Sequence, residues 1–331
     1  MLSFFDYLFD GKIELWNNRS KAPFNIICYS SICCSWIVFD CSCNEMVIHN
    51  TDKEMKCKIK IFVASHKPDK VYHDNVYTPI HVGRSISRYK DEMADMIGDN
   101  TGDNISEKNP TYCELTATYW AWKNLKDVDY VGLAHYRRYF ETKFTEDNID
   151  SIFNSCDVIL AKPYLHDRYM EFKLIREVLQ EDEAILLSVI KKLYPDYEHD
   201  VIDYLYDFVD YPFNMFVMRR SMFDGYCDFL FSILFECEKI MHSLPYTCAS
   251  RRFGYIAEFL LPIFCFHNKL RVKTEYVVPF VGEQANHPCD WNQRLKVKLL
   301  HKIYDKHKPS FFEQMYDNAV IVGLRNDGIE L

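Results

Sequence analysis

DYVGLAHYRRYF, residues 129–140, runs from an apolar stretch straight into His135, Tyr136, Arg137 and Arg138, followed by Tyr139 and Phe140. Tyr130–Ala134 has the length and residue types of a buried strand. A strand that ends in a basic cluster delivers those side chains at its carboxyl end. Upstream, KIKIFVA (58–64) reads as a second buried strand, closed by Ser65, His66, Lys67 and Pro68. Between the two lies a loop-rich stretch with Gly83, Gly98 and Gly102, and then Asn109-Pro110. Asparagine is a favoured N-cap and proline a favoured first helical residue, so a helix is expected from there to about Leu125. Downstream the pattern predicts strand Asp157–Ala161, helices Tyr169–Leu193 and His199–Phe208, and strand Phe213–Met218. Helices Ser221–His242 and Ser250–Phe266 follow, the second kinked by Pro262, and Arg271–Pro279 reads as a last strand. Strands alternating with helices predict an α/β domain around a mostly parallel sheet, with ligands at the carboxyl ends of its strands.

A formal net charge of -9 argues against a nucleic-acid partner, which needs a basic footprint, but leaves room for a local pocket that binds a phosphorylated small molecule. Aromatic residues are 16% of the chain, and most are expected in the core. Thirteen cysteines form no regular framework, and Cys28, Cys33, Cys34, Cys41 and Cys43 include no C-x-x-C pair. With no basic region before an apolar run at the start, the chain reads as cytoplasmic with reduced thiols. Residues 1–56 differ from the rest. Ala22–Phe39 is an uncharged run of 18 residues, at the lower limit of a membrane span, but Asn25, Ser30, Ser31 and Ser35 dilute it and its residue types suit buried strands.

Four constellations carry candidate chemistry. The first is His135, Tyr136, Arg137 and Arg138, because guanidinium groups bind phosphate oxygens in pairs and stay charged. The second is the loop GDNTGDN (98–104), whose Asp99, Asn100, Asp103 and Asn104 can contact a ribose or sugar. Asp99 and Asp103 are also candidates for a divalent cation, manganese or magnesium, although the loop lacks the spacing of a calcium EF-hand. The third is Arg251, Arg252 and Glu258. Glu258 lies in an apolar helical run, where burial would raise its pKa and suit it as a general base; an ion pair with Arg251 or Arg252 is the plain alternative. The fourth is Asn214, at the start of the strand FNMFVM (213–218).

With KIFVASHKP (60–68), GDNTGDNISEKNPTYCELTATYWAWKN (98–124), GLAHYRRYF (132–140), DVILAKPY (157–164), FNMFVMRRSMFDGYCDFLF (213–231) and RRFGYIAEFLLPIF (251–264) in order, the chain resembles a bacterial family long labelled a domain of unknown function. Its members are mostly described as exopolysaccharide or capsular-polysaccharide glycosyltransferases. The resemblance spans roughly residues 58–285. It implies a GT-A-like nucleotide-sugar transferase fold with added helices, in an enzyme class that includes galactofuranosyltransferases. GLAHYRRYF stands where ordinary GT-A enzymes carry a metal-binding Asp-x-Asp, which leaves metal use open.

The resemblance divides the chain into an N-terminal extension (1–56), a glycosyltransferase domain (57–290) and a C-terminal segment (291–331). It implies a hexosyltransferase, inverting at the anomeric carbon. A uridine diphospho-sugar would sit on Ser65, His66 and Lys67 together with the second constellation and the His135–Arg138 cluster. Glu258 would be the base, and Asn214, Arg251 and Arg252 would meet the acceptor, a glycan or lipid-linked oligosaccharide. A sugar-phosphate transferase and a non-catalytic carbohydrate- or nucleotide-binding subunit are the rival readings. In the C-terminal segment, RLKVKLLHKIYDKHK (294–308) is basic and periodic. As a helix it lines up Leu295, Leu299 and Ile303 beside Arg294, Lys298, Lys302 and Lys306. That pattern suits either packing on the domain or peripheral contact with the inner membrane face.

Overall fold

In the computed structural model of the chain, the described residues are 58–331 apart from 243, 245–249, 286–289, 305–307, 317–318 and 330, together with four strands between residues 13 and 49. The chain divides into two units, Met1–Lys56 and Cys57–Leu331. In the first, β1 (Ile13–Glu14), β2 (Ile26–Tyr29), β3 (Trp36–Asp40) and β4 (Glu45–His49) form an antiparallel sheet in that order. The uncharged run 22–39 thus contributes two strands. No helix among the described residues is long and apolar enough to cross a membrane. Cys33, Cys34, Cys41 and Cys43 lie outside the described residues.

The second unit is built on seven strands. They are β5 (Ile59–Ser65), β6 (Tyr77–His81), β7 (Ile97–Gly98), β8 (Tyr130–His135), β10 (Val158–Ala161), β13 (Phe216–Arg219) and β14 (Val272–Glu275). Their spatial order is β14-β10-β13-β8-β5-β6-β7. All neighbours are parallel except that β13 runs antiparallel to both β10 and β8. The short strands β9 (Tyr139–Phe140) and β15 (Val277–Val278) pair with each other, as do β11 (Tyr164–Leu165) and β12 (Val209–Asp210).

Both faces of the central sheet are covered, which is why its strands read as continuous apolar runs. Along β5 the side chains alternate: Ile59, Ile61 and Val63 join one core, Phe62 and Ala64 the other. The helices are α1 (Asn109–Tyr112), α2 (Leu115–Asn124), α3 (Ile149–Phe153), α4 (Met170–Glu177), α5 (Gln180–Leu193), α6 (Glu198–Leu205), α7 (Arg220–His242), α8 (Arg252–His267), α9 (Asp290–Tyr304), α10 (Phe311–Tyr316) and α11 (Ala319–Asn326). They are shared between the cores: α3 joins the smaller one, and most of the others join the larger. Most of the aromatic excess goes into these cores, with Tyr77, Tyr112, Tyr130, Tyr139, Phe216 and Phe223 among the fully buried side chains.

The strand expected over 213–218 begins only at Phe216, because Phe213 and Asn214 turn with φ of 78° and 52°. Three further expectations change. The helix expected over 109–125 is broken at Cys113, whose φ is 53°, and the Asn109 side-chain amide donates to the Cys113 carbonyl at 2.7 Å across the break. The helix expected over 169–193 is broken at Val178 and Leu179, which are extended; the Asp182 carboxylate accepts the Leu179 N–H at 3.2 Å and starts α5 afresh. The stretch read as loop contains β6, disguised by Pro79 in its middle, a residue that usually demotes a strand.

Gly132 sits where the sheet leaves no room. A Cβ there would lie 3.0 Å from both the Phe216 carbonyl oxygen and Ile61 Cγ1. Gly132→Val should therefore destabilise the fold by about 1–3 kcal/mol, the usual range for overpacking a filled core, read by chemical denaturation.

Candidate active site

The carboxyl ends of four strands lie side by side. Ser65 on β5 is in register with His81 on β6, His81 with Gly98 on β7, and Ala64 with His135 on β8. Three of these strand ends carry a histidine: His66 just past β5, His81 at the end of β6 and His135 at the end of β8. The Ser65 hydroxyl donates to the Lys67 carbonyl at 2.8 Å and curls the chain back after β5. His135 and Arg138 exchange backbone hydrogen bonds of 3.0 Å, a tight turn that holds Tyr136 and Arg137 at its tip. The His135 Nε2–H donates to the Phe213 carbonyl at 2.7 Å, and Tyr136 meets His66 edge-on, with ring centres 5.7 Å apart.

Cations gather around His66. Burial lowers its pKa, and the charges of Lys67, Arg251, Arg137 and His135 lower it further. A neutral imidazole thus sits amid fixed positive charge. Arg137 is exposed and chelates one Asp69 oxygen at 2.6 and 2.9 Å; Arg138 lies over the Phe213 ring at 4.2 Å. Arg251, expected at the acceptor, joins this group instead. It precedes α8 with a φ of 63°, and its backbone N–H donates to the Pro110 carbonyl at 2.9 Å. Gly254 makes this approach possible, since a Cβ there would come within 3.2 Å of the Cys113 sulfur.

Carboxylates gather next to the cations. Burial pushes the Glu258 carboxyl up, against the opposing pull of Lys173 at 3.1 Å. Burial alone would lower Lys173, but Glu258 and Asp210, the latter 2.8 Å away, outweigh it and keep the ammonium protonated. His166 touches Asp210 at 3.0 Å. On the other side, the Asn214 amide donates to Glu114 at 2.7 Å and to the Gly254 carbonyl at 2.9 Å, while its Oδ1 is buried without a partner among the described residues. Burial pushes the Cys113 thiol, beside Glu114 and Arg251, up to about 11.

The remaining expected groups divide. Asp99 is fully buried and accepts from the Gly83 amide at 2.7 Å, the Arg84 amide at 3.1 Å and the Ser106 hydroxyl at 2.5 Å. Its oxygens hold the loop together, so it is not a free donor-binding group. Asp103 accepts the Tyr119 hydroxyl at 3.1 Å, and Asn104 bonds to Gly102 and Ser106 within the loop; Asn100 is exposed. No cluster of three or more metal-ligating side chains occurs among the described residues. Arg252, also expected at the acceptor, is buried and paired with Asp182 at 3.1 Å. Glu258 pairs with neither arginine but with Lys173, a partner no helical spacing could indicate.

His81 is a site residue that no sequence motif singled out. It is fully buried, and both ring nitrogens lack a partner among the described residues. Burial, with Arg84, lowers its pKa. The available signal was the recurrence of strands ending in histidine: VASH, TPIH and GLAH.

The family described as a domain of unknown function, DUF4422, matches residues 60–269. Among solved structures, the apo form of the bifunctional glycosyltransferase WbbM is similar at 30% sequence identity, with a TM-score of 0.58, over 70% of this chain and 47% of that one. The chain therefore spans about half the length of that protein. No curated protein matches the chain.

Arg252 and Arg251 separate structure from binding. Arg252→Ala should cost about 3–5 kcal/mol in chemical denaturation, because it strands the buried Asp182 carboxylate. Arg251→Ala, one residue earlier and exposed, should leave stability within about 0.5 kcal/mol.

Proposed function

The chain belongs to the DUF4422 family, and we propose that it is a GT-A-like glycosyltransferase that moves a sugar from a uridine diphospho-sugar to a hydroxyl of a glycan acceptor in surface-polysaccharide synthesis. The observation that carries this reading is the cluster of Lys67, Arg137 and Arg251 around a neutral His66, at the carboxyl ends of parallel strands and next to half-buried Glu258. The likeness to a glycosyltransferase structure and the single antiparallel strand in an otherwise parallel sheet support it.

The proposed chemistry is a direct displacement. The acceptor oxygen attacks the anomeric carbon while the bond from that carbon to the diphosphate oxygen breaks. Glu258 takes the acceptor proton, which its raised pKa favours. The bonding electron pair leaves on the nucleoside diphosphate, where Lys67, Arg137 and Arg251 meet the developing charge. His66, held neutral by burial, is left to donate or accept a hydrogen bond to the nucleotide without adding charge. Lys173 holds the Glu258 carboxylate in place.

Calorimetry with a panel of nucleotides tests the donor site. Uridine diphosphate should bind, and Arg137→Ala, Arg138→Ala and Arg251→Ala should each weaken it by about 1.5–3 kcal/mol, the range for a hydrogen bond to a charged group. Failure to bind any nucleoside diphosphate or nucleotide sugar would sink the reading. Release of a nucleoside monophosphate on turnover would instead make the protein a sugar-phosphate transferase.

The pH profile tests Glu258. Below its pKa the carboxyl carries a proton and cannot accept another, so the acid limb of kcat should lie above the ordinary glutamate value of 4.5. Lys173 lowers that pKa, so Lys173→Met should move the limb to still higher pH. An unmoved limb would remove Glu258 from the role of base.

A further inference from the structure

The helix α9 carries an apolar stripe that no described part of the fold covers. Leu295, Leu299 and Ile303 are 48%, 59% and 55% exposed, values normal for polar surface residues and high for three large apolar ones in a row. They recur every four residues and therefore share one face. The helix is seated by a different face. His301 bonds to Asp207 at 3.0 Å and packs edge-on against Phe208, with ring centres 5.5 Å apart. At 100° per residue, His301 lies nearly opposite the line through Leu299 and Ile303. Lys298 and Lys302 flank the stripe on one side and Lys296 on the other; all three are exposed and make no ion pair among the described residues.

A second basic feature adjoins this helix. Tyr169 packs on Phe208 with ring centres 5.0 Å apart, so the ring that seats His301 also supports Tyr169. Tyr169 lines a cavity of about 240 Å³ that also presents His166, Asp167, Arg168, Lys173 and Arg176, three fixed cations against one carboxylate. Phe172, 46% exposed, lies on the same rim. In a chain of formal net charge -9, exposed apolar side chains bordered by unpaired lysines and a cation-lined cavity are a local exception.

We propose that α9 is an interfacial helix that docks the protein on an anionic lipid surface, with Leu295, Leu299 and Ile303 inserted among the acyl chains and Lys296, Lys298 and Lys302 on the headgroups. An apolar stripe bordered by lysines fits that boundary, where apolar burial and attraction to anionic lipid act together. A second copy of the chain would bury the stripe but repeat the same lysines against themselves. Lys173, on the wall of the cavity beside Tyr169, contacts Glu258 directly, which links that cavity to the proposed base.

Co-sedimentation of the full chain with vesicles tests the proposal and requires no turnover, so it stands or falls apart from the donor assignment. The chain should pellet with phosphatidylglycerol vesicles and not with phosphatidylcholine vesicles, and raising the salt should release it. Lys298→Glu combined with Lys302→Glu should weaken binding at least about 30-fold, from about 1 kcal/mol for each lysine near the surface. Leu295→Ser combined with Leu299→Ser should abolish pelleting. All four positions are exposed, so the variants should melt at the temperature of the parent chain. Equal pelleting of parent and variants, or none by the parent, overturns the proposal. A dimer in size-exclusion chromatography that the leucine variant converts to a monomer also overturns it, by assigning the stripe to a second copy.

Discussion

Arg252 and Asp182 face each other at 3.1 Å with almost no solvent on either side chain, and the geometry of the candidate site depends on that pair. Asp182 is also the residue whose carboxylate accepts the Leu179 N–H and starts α5. The first turns of α5 and α8 are thereby tied together. Taking both charges out of water is costly, and burial does raise the Asp182 carboxyl. Such a pair adds little stability compared with an apolar replacement, but neither partner can leave without stranding the other. Its consequence is positional. Arg251 stands immediately before the pair, and Glu258 lies less than two turns beyond it on α8.

That arrangement sets two opposite electrostatic environments side by side. On the strand-end side, Lys67, Arg137 and Arg251 surround an imidazole that stays neutral. On the helix side, Glu258 and Asp210 share one half-buried ammonium, Lys173, and Glu114 lies close enough to push the Glu258 carboxyl up further. A substrate that carries negative charge at one end and gives up a proton at the other complements such a surface. Within the low dielectric of the interior these interactions are stronger than in water, and so is the cost of leaving any of them unpaired. Among the described residues, the ring nitrogens of His81, the Oδ1 of Asn214 and the Nε of Arg252 are buried open valences in this region.

The inner parallel strands β5, β8 and β10 were legible in the chain because they are buried on both faces and are therefore largely apolar. β5, β8 and β10 fall within a residue of their expected bounds. β6 was not legible, because Pro79 argues against a strand when the pairing of Ile80 with Ala64 cannot be seen. The break at Cys113 was hidden for a related reason. Its positive φ serves the close approach of Gly254, a contact between segments far apart in sequence.

The residue types of the site, and their delivery at strand ends, were determined by the sequence alone: HYRR after one apolar strand and SHK after another. So was the amphipathic character of α9, since helical periodicity is a local property. Which charges act together was decided only in three dimensions. Arg251 and Arg252 are adjacent in the chain, yet one is exposed beside His66 and the other is sealed against Asp182. Glu258 answers to Lys173, and Asp99 spends its oxygens on two amides and a hydroxyl. Local pattern sets which face of an element is apolar. The partner of a charge depends on long-range packing and on how much water that packing removes, and neither is written in the neighbouring residues.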